Sequence, residues 1–390
     1  MQASFAAYQH EIYAQGLQGH TPEITCNLEA LEDAARSHLE PGPFGYIAGG
    51  ASTGATMRAN REAFDHWRIV PRMLTGATTR DLTTTVLGQT MPAPILLAPI
   101  GVNSIAHPHG EPAAARAAAS LGITMVMSTA SSYSIEDVAA AGGDGPRWFQ
   151  LYWPDDDAVC VSILRRARDA GFTTLVVTLD TWTLAWRPSD LDQAYLPFIR
   201  GIGTAVAFSD PVFRTMLDRS PEEDPVGASL RWIPMISRTC RGWDELPFLR
   251  QHWDGPIVLK GIQHVDDARR AVEAGMDGIV VSNHGGRQVD GVIGSLDALP
   301  SIVDAVGDKL EVLFDSGVRT GADVIKALAL GARAVLLGRP YVYGLALGGE
   351  AGVRHVLRSI LADLDQTLGL AGYRTPTELG PDALIRAPRA

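Results

Sequence analysis

From residue 95 onward, short apolar runs recur between alanine-rich stretches. The runs are ILLAP (95–99), TMVMS (124–128), RWFQLY (147–152), TLVVTLD (174–180), PIVLK (256–260), GIVVSN (278–283), EVLFDS (311–316) and AVLLG (334–338). Segments such as EPAAARAAASLG, DDARRAVEAG and GADVIKALALGA lie between them. Eight short buried strands separated mostly by helices predict a closed (β/α)8 TIM barrel. An open doubly wound sheet often carries a Gly-x-Gly-x-x-Gly turn after its first strand, and none occurs here. A barrel of about 250 residues with additions accounts for a 390-residue chain as one unit. The expected organisation is a single domain over 1–390, with an N-terminal helical segment at 1–90, the barrel at 91–372 and an insertion at about 188–255.

The flanks read as follows. NLEALEDAARSHLE (27–40) has Leu28, Leu31, Ala35 and Leu39 on one helical face, with Asn27 placed to cap it. The insertion follows the fourth strand. Its middle, SDPVFRTMLDRSPEEDPVGAS, is polar and reads as a mobile lid, because it leaves from the barrel face where active sites form. PDALIRAPRA reads as a loose C-terminal tail.

Composition removes some functions. A formal net charge of -11 disfavours nucleic acid or an anionic membrane as partner. No apolar stretch reaches the roughly 18 residues of a membrane span. MQASFAAYQHEIYAQ has no basic start and apolar run, so no signal peptide is expected. Cys26, Cys160 and Cys240 have no paired or metal-like spacing, which points to a reducing, cytoplasmic setting and no metal.

In such a barrel, polar residues at strand C-termini face the site. The first strand ends in Pro99, Ile100 and Gly101, the second in Ser128, the third in Gln150 and Tyr152. The fourth offers Thr178 and then Arg187, the fifth Lys260, and the sixth Ser282, His284 and Arg287. The seventh ends in Asp315, Gly317 and Arg319, the eighth in Gly338 and Arg339. Taken singly, Lys260 suits a surface lysine, Gln150 or Thr178 a cap, and His284 a structural histidine. Taken together, every strand ends in a residue suited to a polar ligand.

DSGVRTG and GRPYVYG pair glycine with arginine after the last two strands, where barrels commonly bind phosphate. Ordinary βα turns are the plain alternative. A phosphate anchor implies a phosphorylated cofactor or substrate. Lys260 suits the side of a flavin that gains negative charge on reduction; Gln150 and Thr178 suit its pyrimidine edge, and Ser128 its O4 side. Tyr46, Tyr152, His284, Arg187 and Arg287 remain for a second, smaller ligand. Two arginines suit a carboxylate, and a histidine suits proton abstraction from an α-hydroxyl or α-carbon.

With SNHGGRQ, DSGVRTGADVIKALALGA and LGRPYVYGLA in view, the chain resembles the FMN-dependent α-hydroxy acid oxidising enzymes over about residues 25–372. The resemblance implies an FMN-bearing (β/α)8 barrel with His284 as the active-site base. It implies Arg187, Arg287 and Tyr46 at the substrate carboxylate and Tyr152 at the hydroxyl or keto oxygen. Lys260 would stabilise reduced flavin, with Ser128, Gln150, Thr178 and Ser282 at its ring or ribityl chain. Asp315, Gly317, Arg319, Gly338 and Arg339 would surround the ribityl phosphate, and Pro99, Ile100 and Gly101 would also contact the cofactor.

Within the family, APIGV, TLDTWTLAWRPSDL and the long SDPVFR insertion look like lactate 2-monooxygenase. That likeness implies L-lactate and O2 converted through bound pyruvate to acetate, carbon dioxide and water. The alternatives are an oxidase releasing 2-keto acid and hydrogen peroxide, on a larger 2-hydroxy acid if small Ala130 widens the pocket; a dehydrogenase passing electrons to another acceptor; and a non-redox phosphate-binding barrel. Family resemblance further implies a homotetramer or homo-octamer, to which exposed-looking aromatic segments such as WDELPFLRQHW would contribute.

Overall fold

The computed structural model describes residues 4–238 and 240–388. Eight parallel strands close into a barrel: β1 (Ile95–Leu97), β2 (Thr124–Ser128), β3 (Arg147–Leu151), β4 (Leu175–Thr178), β5 (Ile257–Ile262), β6 (Gly278–Val281), β7 (Glu311–Phe314) and β8 (Val335–Leu337). Each pairs with its sequence neighbours, and β8 closes the ring against β1 through Val335↔Ile95, Leu336↔Leu96 and Leu337↔Leu97. All eight expected strands are present.

Side-chain alternation along each strand divides the core in two. Leu96, Val126, Trp148, Val176, Val258, Val280, Leu313 and Leu336, one from each strand, fill the barrel interior. Their neighbours, such as Leu97, Met127, Phe149, Val177, Leu259, Val281, Phe314 and Leu337, face the surrounding helices. Continuous apolar runs are what strands buried on both faces require.

A hairpin of Thr84–Val86 and Gln89–Met91 closes the N-terminal end. Its Leu87-Gly88 turn has both residues at positive φ, as a two-residue hairpin demands. Val86 and Met91 enter the interior cluster, and the Gln89 amide binds Trp148 Nε1 at 2.9 Å and Thr124 Oγ1 at 2.8 Å. The hairpin therefore plugs the lower end of the barrel.

Three expectations change on contact with the structure. The C-terminal segment is not a loose tail within the described residues: Leu384–Arg386 pairs antiparallel with Trp67–Ile69, and Ala383 and Leu384 are buried. WDELPFLRQHW is not an exposed aromatic surface, because Leu246, Leu249 and Trp253 are buried and Phe248 stacks on Trp153. The polar middle of the insertion does not cover the mouth. Asp210 caps the short helix Pro211–Arg214, is fully buried, and binds Ser162 at 2.8 Å and Arg166 at 3.2 Å on the helix Asp157–Asp169. Phe213 is buried beside Trp232. Cover over the mouth comes instead from the two ends of the insertion, through Leu196, Phe198, Ile233 and Ile236.

Candidate active site

The strand alternation that fills the interior also builds the site. Two residues beyond each inward-facing core residue lies the next inward position. This rule takes Val126 to Ser128, Trp148 to Gln150, Val176 to Thr178 and Asp180, and Val258 to Lys260. It takes Val280 to Ser282, Leu313 to Asp315 and Leu336 to Gly338. The ladder sets Ser128 beside Gln150 and Thr178 beside Lys260.

One cleft of about 200 Å³ opens at this end. Pro99, Ile100, Gly101 and Tyr152 line it from β1 and β3, with Tyr46 from the helix Pro41–Ala48. Arg187, Lys260, His284 and Arg287 line it from the middle strands. Asp315, Gly317, Arg319, Gly338 and Arg339 line it at the closing strands. Ser128, Gln150, Thr178 and Ser282 are buried residues at the strand tops that do not line the cleft.

His284 Nδ1 lies 2.8 Å from Asp180 Oδ1 and 3.0 Å from Thr181 Oγ1. An ionised carboxylate only accepts, so Nδ1 carries the hydrogen and Nε2 is left with a free lone pair. The neighbouring imidazole and Lys260 overcome burial and lower Asp180 to about 2. Burial lowers the His284 pKa, and Asp180 offsets this only in part. With Nδ1–H held by Asp180, the neutral ring presents Nε2 as the acceptor that a general base needs. His284 sits at φ 59°, a conformation uncommon for a non-glycine residue and found where function overrides backbone preference. Asn283 holds the turn: its side chain accepts from Gly286 N–H and pairs amide-to-amide with Asn60 at 2.8 and 2.7 Å. Gly285 and Gly286 both have positive φ, and a Cβ on Gly285 would lie 2.9 Å from Arg339 Nη1. The backbone is bare there because Arg339 crosses it.

The cations are held in different ways. Arg187 is buried; its Nε donates to Arg287 O at 3.0 Å and its Nη2 to Gln288 Oε1 at 2.5 Å. Burial lowers its pKa to about 10, so it stays charged. Arg287 Nη1 donates to Tyr46 O and Gly49 O at 2.6 and 2.8 Å, with its guanidinium 5.1 Å from the Tyr46 ring centroid. These contacts use Nε and Nη2 of Arg187 and Nη1 of Arg287, so Nη1 of Arg187 and the other guanidinium nitrogens of Arg287 are available to an anion. Lys260 Nζ binds Asp315 Oδ2 at 3.0 Å and Ser282 Oγ at 2.9 Å. Burial opposes its charge, but Asp315 and Asp180 outweigh this and raise its pKa.

Arg339 spends donors on the carbonyls of Ile47, Gly285 and Gly49, tying the N-terminal segment to the His284 turn. Among the described residues, the Arg319 side chain hydrogen-bonds only the carbonyl of Val318. Gly338 starts the helix Arg339–Leu370 without a side-chain cap, leaving backbone N–H groups for an anion. Beneath the cleft, at the tops of β2 and β3, Ser128 Oγ donates to Gln150 Oε1 at 2.9 Å, while Gln150 Nε2 is buried without a partner among the described residues. Anion donors at one end and an unsatisfied buried amide N–H at the other fit a flavin mononucleotide.

The partners of the proposed groups were not assigned from the sequence. Asp180 lies in the quoted TLVVTLD run, and the inward alternation Val176, Thr178, Asp180 was the signal for it. Gln288 was visible only as part of SNHGGRQ. Glu111 carried no signal. Its Oε1 accepts from Asn103 N and Ser132 N, both at 3.0 Å, joining the loops that follow β1 and β2. Burial raises its pKa to about 7, and Oε2 has no partner.

A prediction follows from the sign of that shift. The unfolded chain ionises Glu111 near its ordinary 4.5 while the folded chain keeps the proton to about 7. Stability is therefore lost as pH rises between these values, by up to about 3 kcal/mol. Glu111→Gln keeps the acceptor and cannot ionise. Its melting temperature should match wild type below about pH 4.5 and exceed it by several degrees above about pH 7.

The family model described as FMN-dependent dehydrogenase matches residues 35–386. The FMN-dependent alpha-hydroxy acid dehydrogenase qulF of Penicillium citrinum is 53% identical, covering 98% of this chain and 96% of that protein. An L-lactate oxidase of Lysinibacillus sphaericus is 44% identical, with 96% of each chain covered. The crystal structure of a mandelate oxidase superposes with a TM-score of 0.81 at 38% identity, covering 93% of this chain and 99% of that one. Fold and site thus define an FMN-binding (β/α)8 oxidoreductase, and the chain belongs to the FMN-dependent dehydrogenase family. FMN is its cofactor. No helix among the described residues is long and apolar enough to cross a membrane.

Proposed function

We propose that the chain oxidises an L-2-hydroxy acid, most specifically L-lactate, with O2 as the final oxidant. The observation that carries this reading is His284, backed by Asp180 at 2.8 Å, lining one cleft together with Arg187 and Arg287. The arginines hold the substrate carboxylate, with Tyr46 beside them, and Tyr152 meets the hydroxyl. His284 Nε2 takes the substrate proton, and Asp180 stabilises the imidazolium through Nδ1–H. Lys260, Ser128, Gln150, Thr178 and Ser282 hold the flavin ring and ribityl chain, together with the β1 end at Pro99, Ile100 and Gly101. Asp315, Gly317, Arg319, Gly338 and Arg339 hold the ribityl phosphate. FMN, when bound, accepts the two electrons of the oxidation.

The proposed outcome is the lactate 2-monooxygenase type. Pyruvate is retained, and peroxide formed in the closed site decarboxylates it to acetate, carbon dioxide and water. The apolar cover of Leu196, Phe198, Ile233 and Ile236 supports retention. A second reading is an oxidase releasing 2-keto acid and hydrogen peroxide, on larger substrates. Small Ala130 and the same apolar wall favour it, and relatives named lactate oxidase and the mandelate oxidase neighbour fit it.

The product balance from L-lactate in air separates these outcomes. Acetate and carbon dioxide without free peroxide are expected. Pyruvate with stoichiometric peroxide would replace the monooxygenase outcome by the oxidase one.

A further inference from the structure

Gln288 follows Arg287 directly, and both ends of its amide are engaged. Oε1 accepts from Arg187 Nη2 at 2.5 Å, while Nε2 donates to Asp180 O at 2.8 Å and Thr183 O at 3.0 Å. A guanidinium only donates and a backbone carbonyl only accepts, so the orientation of the amide is fixed by its neighbours. Glutamate would lack the donors, lysine would lack the acceptor, and asparagine is one methylene shorter. Arg187 has one other anchor, Arg287 O through Nε. Gln288 thus grips the buried cation on one side. On the other it holds the backbone of the segment carrying Asp180, the carboxylate behind His284.

We propose that Gln288 is a positioning residue that couples the carboxylate-binding Arg187 to the Asp180–His284 pair. It sets the direction of Arg187 without touching the substrate, and it keeps Asp180 in reach of Nδ1. This rests on the assignment of Arg187 to the substrate carboxylate made above. A structural glutamine alone would stabilise the fold without sensing the charge of the ligand. A positioning glutamine acts on a carboxylate ligand and spares its neutral amide.

The test uses the FMN holoenzyme, with pyruvate and pyruvamide titrated against the flavin absorbance. In Gln288→Glu the new carboxylate neutralises Arg187 as well as losing the grip on Thr183 and Asp180. Its Kd for pyruvate should rise about 10-fold or more, a charged hydrogen bond being worth at least that, with pyruvamide within about 2–3-fold of wild type. Gln288→Met adds no charge and keeps the length; its pyruvate-to-pyruvamide preference should fall about 10-fold, and flavin reduction by L-lactate should slow. Unchanged pyruvate affinity in a variant, or equal weakening of both ligands, would overturn the role. A wild type that binds pyruvate no better than pyruvamide would remove the carboxylate assignment itself, and the role of Gln288 with it.

Discussion

His284→Ala should retain FMN and lose the reductive reaction. Its flavin should be reduced by L-lactate at least about 10²–10⁴-fold more slowly than wild type, the usual contribution of a positioned general base. The geometry gives the reason: Nε2 is the one basic atom of His284 free to face the cleft, because Nδ1 is held by Asp180. Asp180→Asn tests the same pair from behind. The carboxylate raises the histidine pKa against burial, so its removal lets that pKa fall further. The rate depends on neutral His284, hence the acid limb of the reduction rate moves to lower pH. The plateau drops as well, since the imidazolium loses its counter-charge. A variant at either position that bleaches at the wild-type rate would remove the base from this account.

Lys260→Met should cost the protein both stability and flavin. Lys260 and Asp315 are buried side by side, and removing one member of a buried pair leaves an uncompensated charge. The expected loss is about 3–5 kcal/mol, read as a fall in melting temperature. Lys260→Met with Asp315→Asn removes both charges and should recover most of that stability. It should not recover flavin affinity, which under the proposed assignment depends on the cation itself. Recovery of both together would mean that Lys260 serves the fold alone.

The barrel was legible because each strand announces itself as a run buried on both faces. The strand-top positions of the candidate site were legible because the same alternation carries on beyond the core: Val258 leads to Lys260 as surely as Val280 leads to Ser282. What escaped was pairing across long sequence distance. Asp180 and His284 are 104 residues apart, and nothing in TLVVTLD says which histidine its carboxylate will meet. Glu111, in the first turn of an alanine-rich helix, carried no mark of its fate: it is fully buried because two loops fold their amides onto it. Arg339 was expected at the phosphate, where proximity of Gly338 supports it, but its engagement with three backbone carbonyls could be seen only in three dimensions. The lid was misplaced for a related reason. Polarity in SDPVFRTMLDRSPEEDPVGAS suggested exposure, whereas Asp210 and Phe213 face inward onto the neighbouring helix.

The most direct test is anaerobic mixing of the FMN holoenzyme with L-lactate, followed by admission of air. The account predicts complete loss of the yellow flavin absorbance without oxygen and its return on aeration. A flavin that stays oxidised with L-lactate, and equally with larger L-2-hydroxy acids such as L-mandelate, would contradict it.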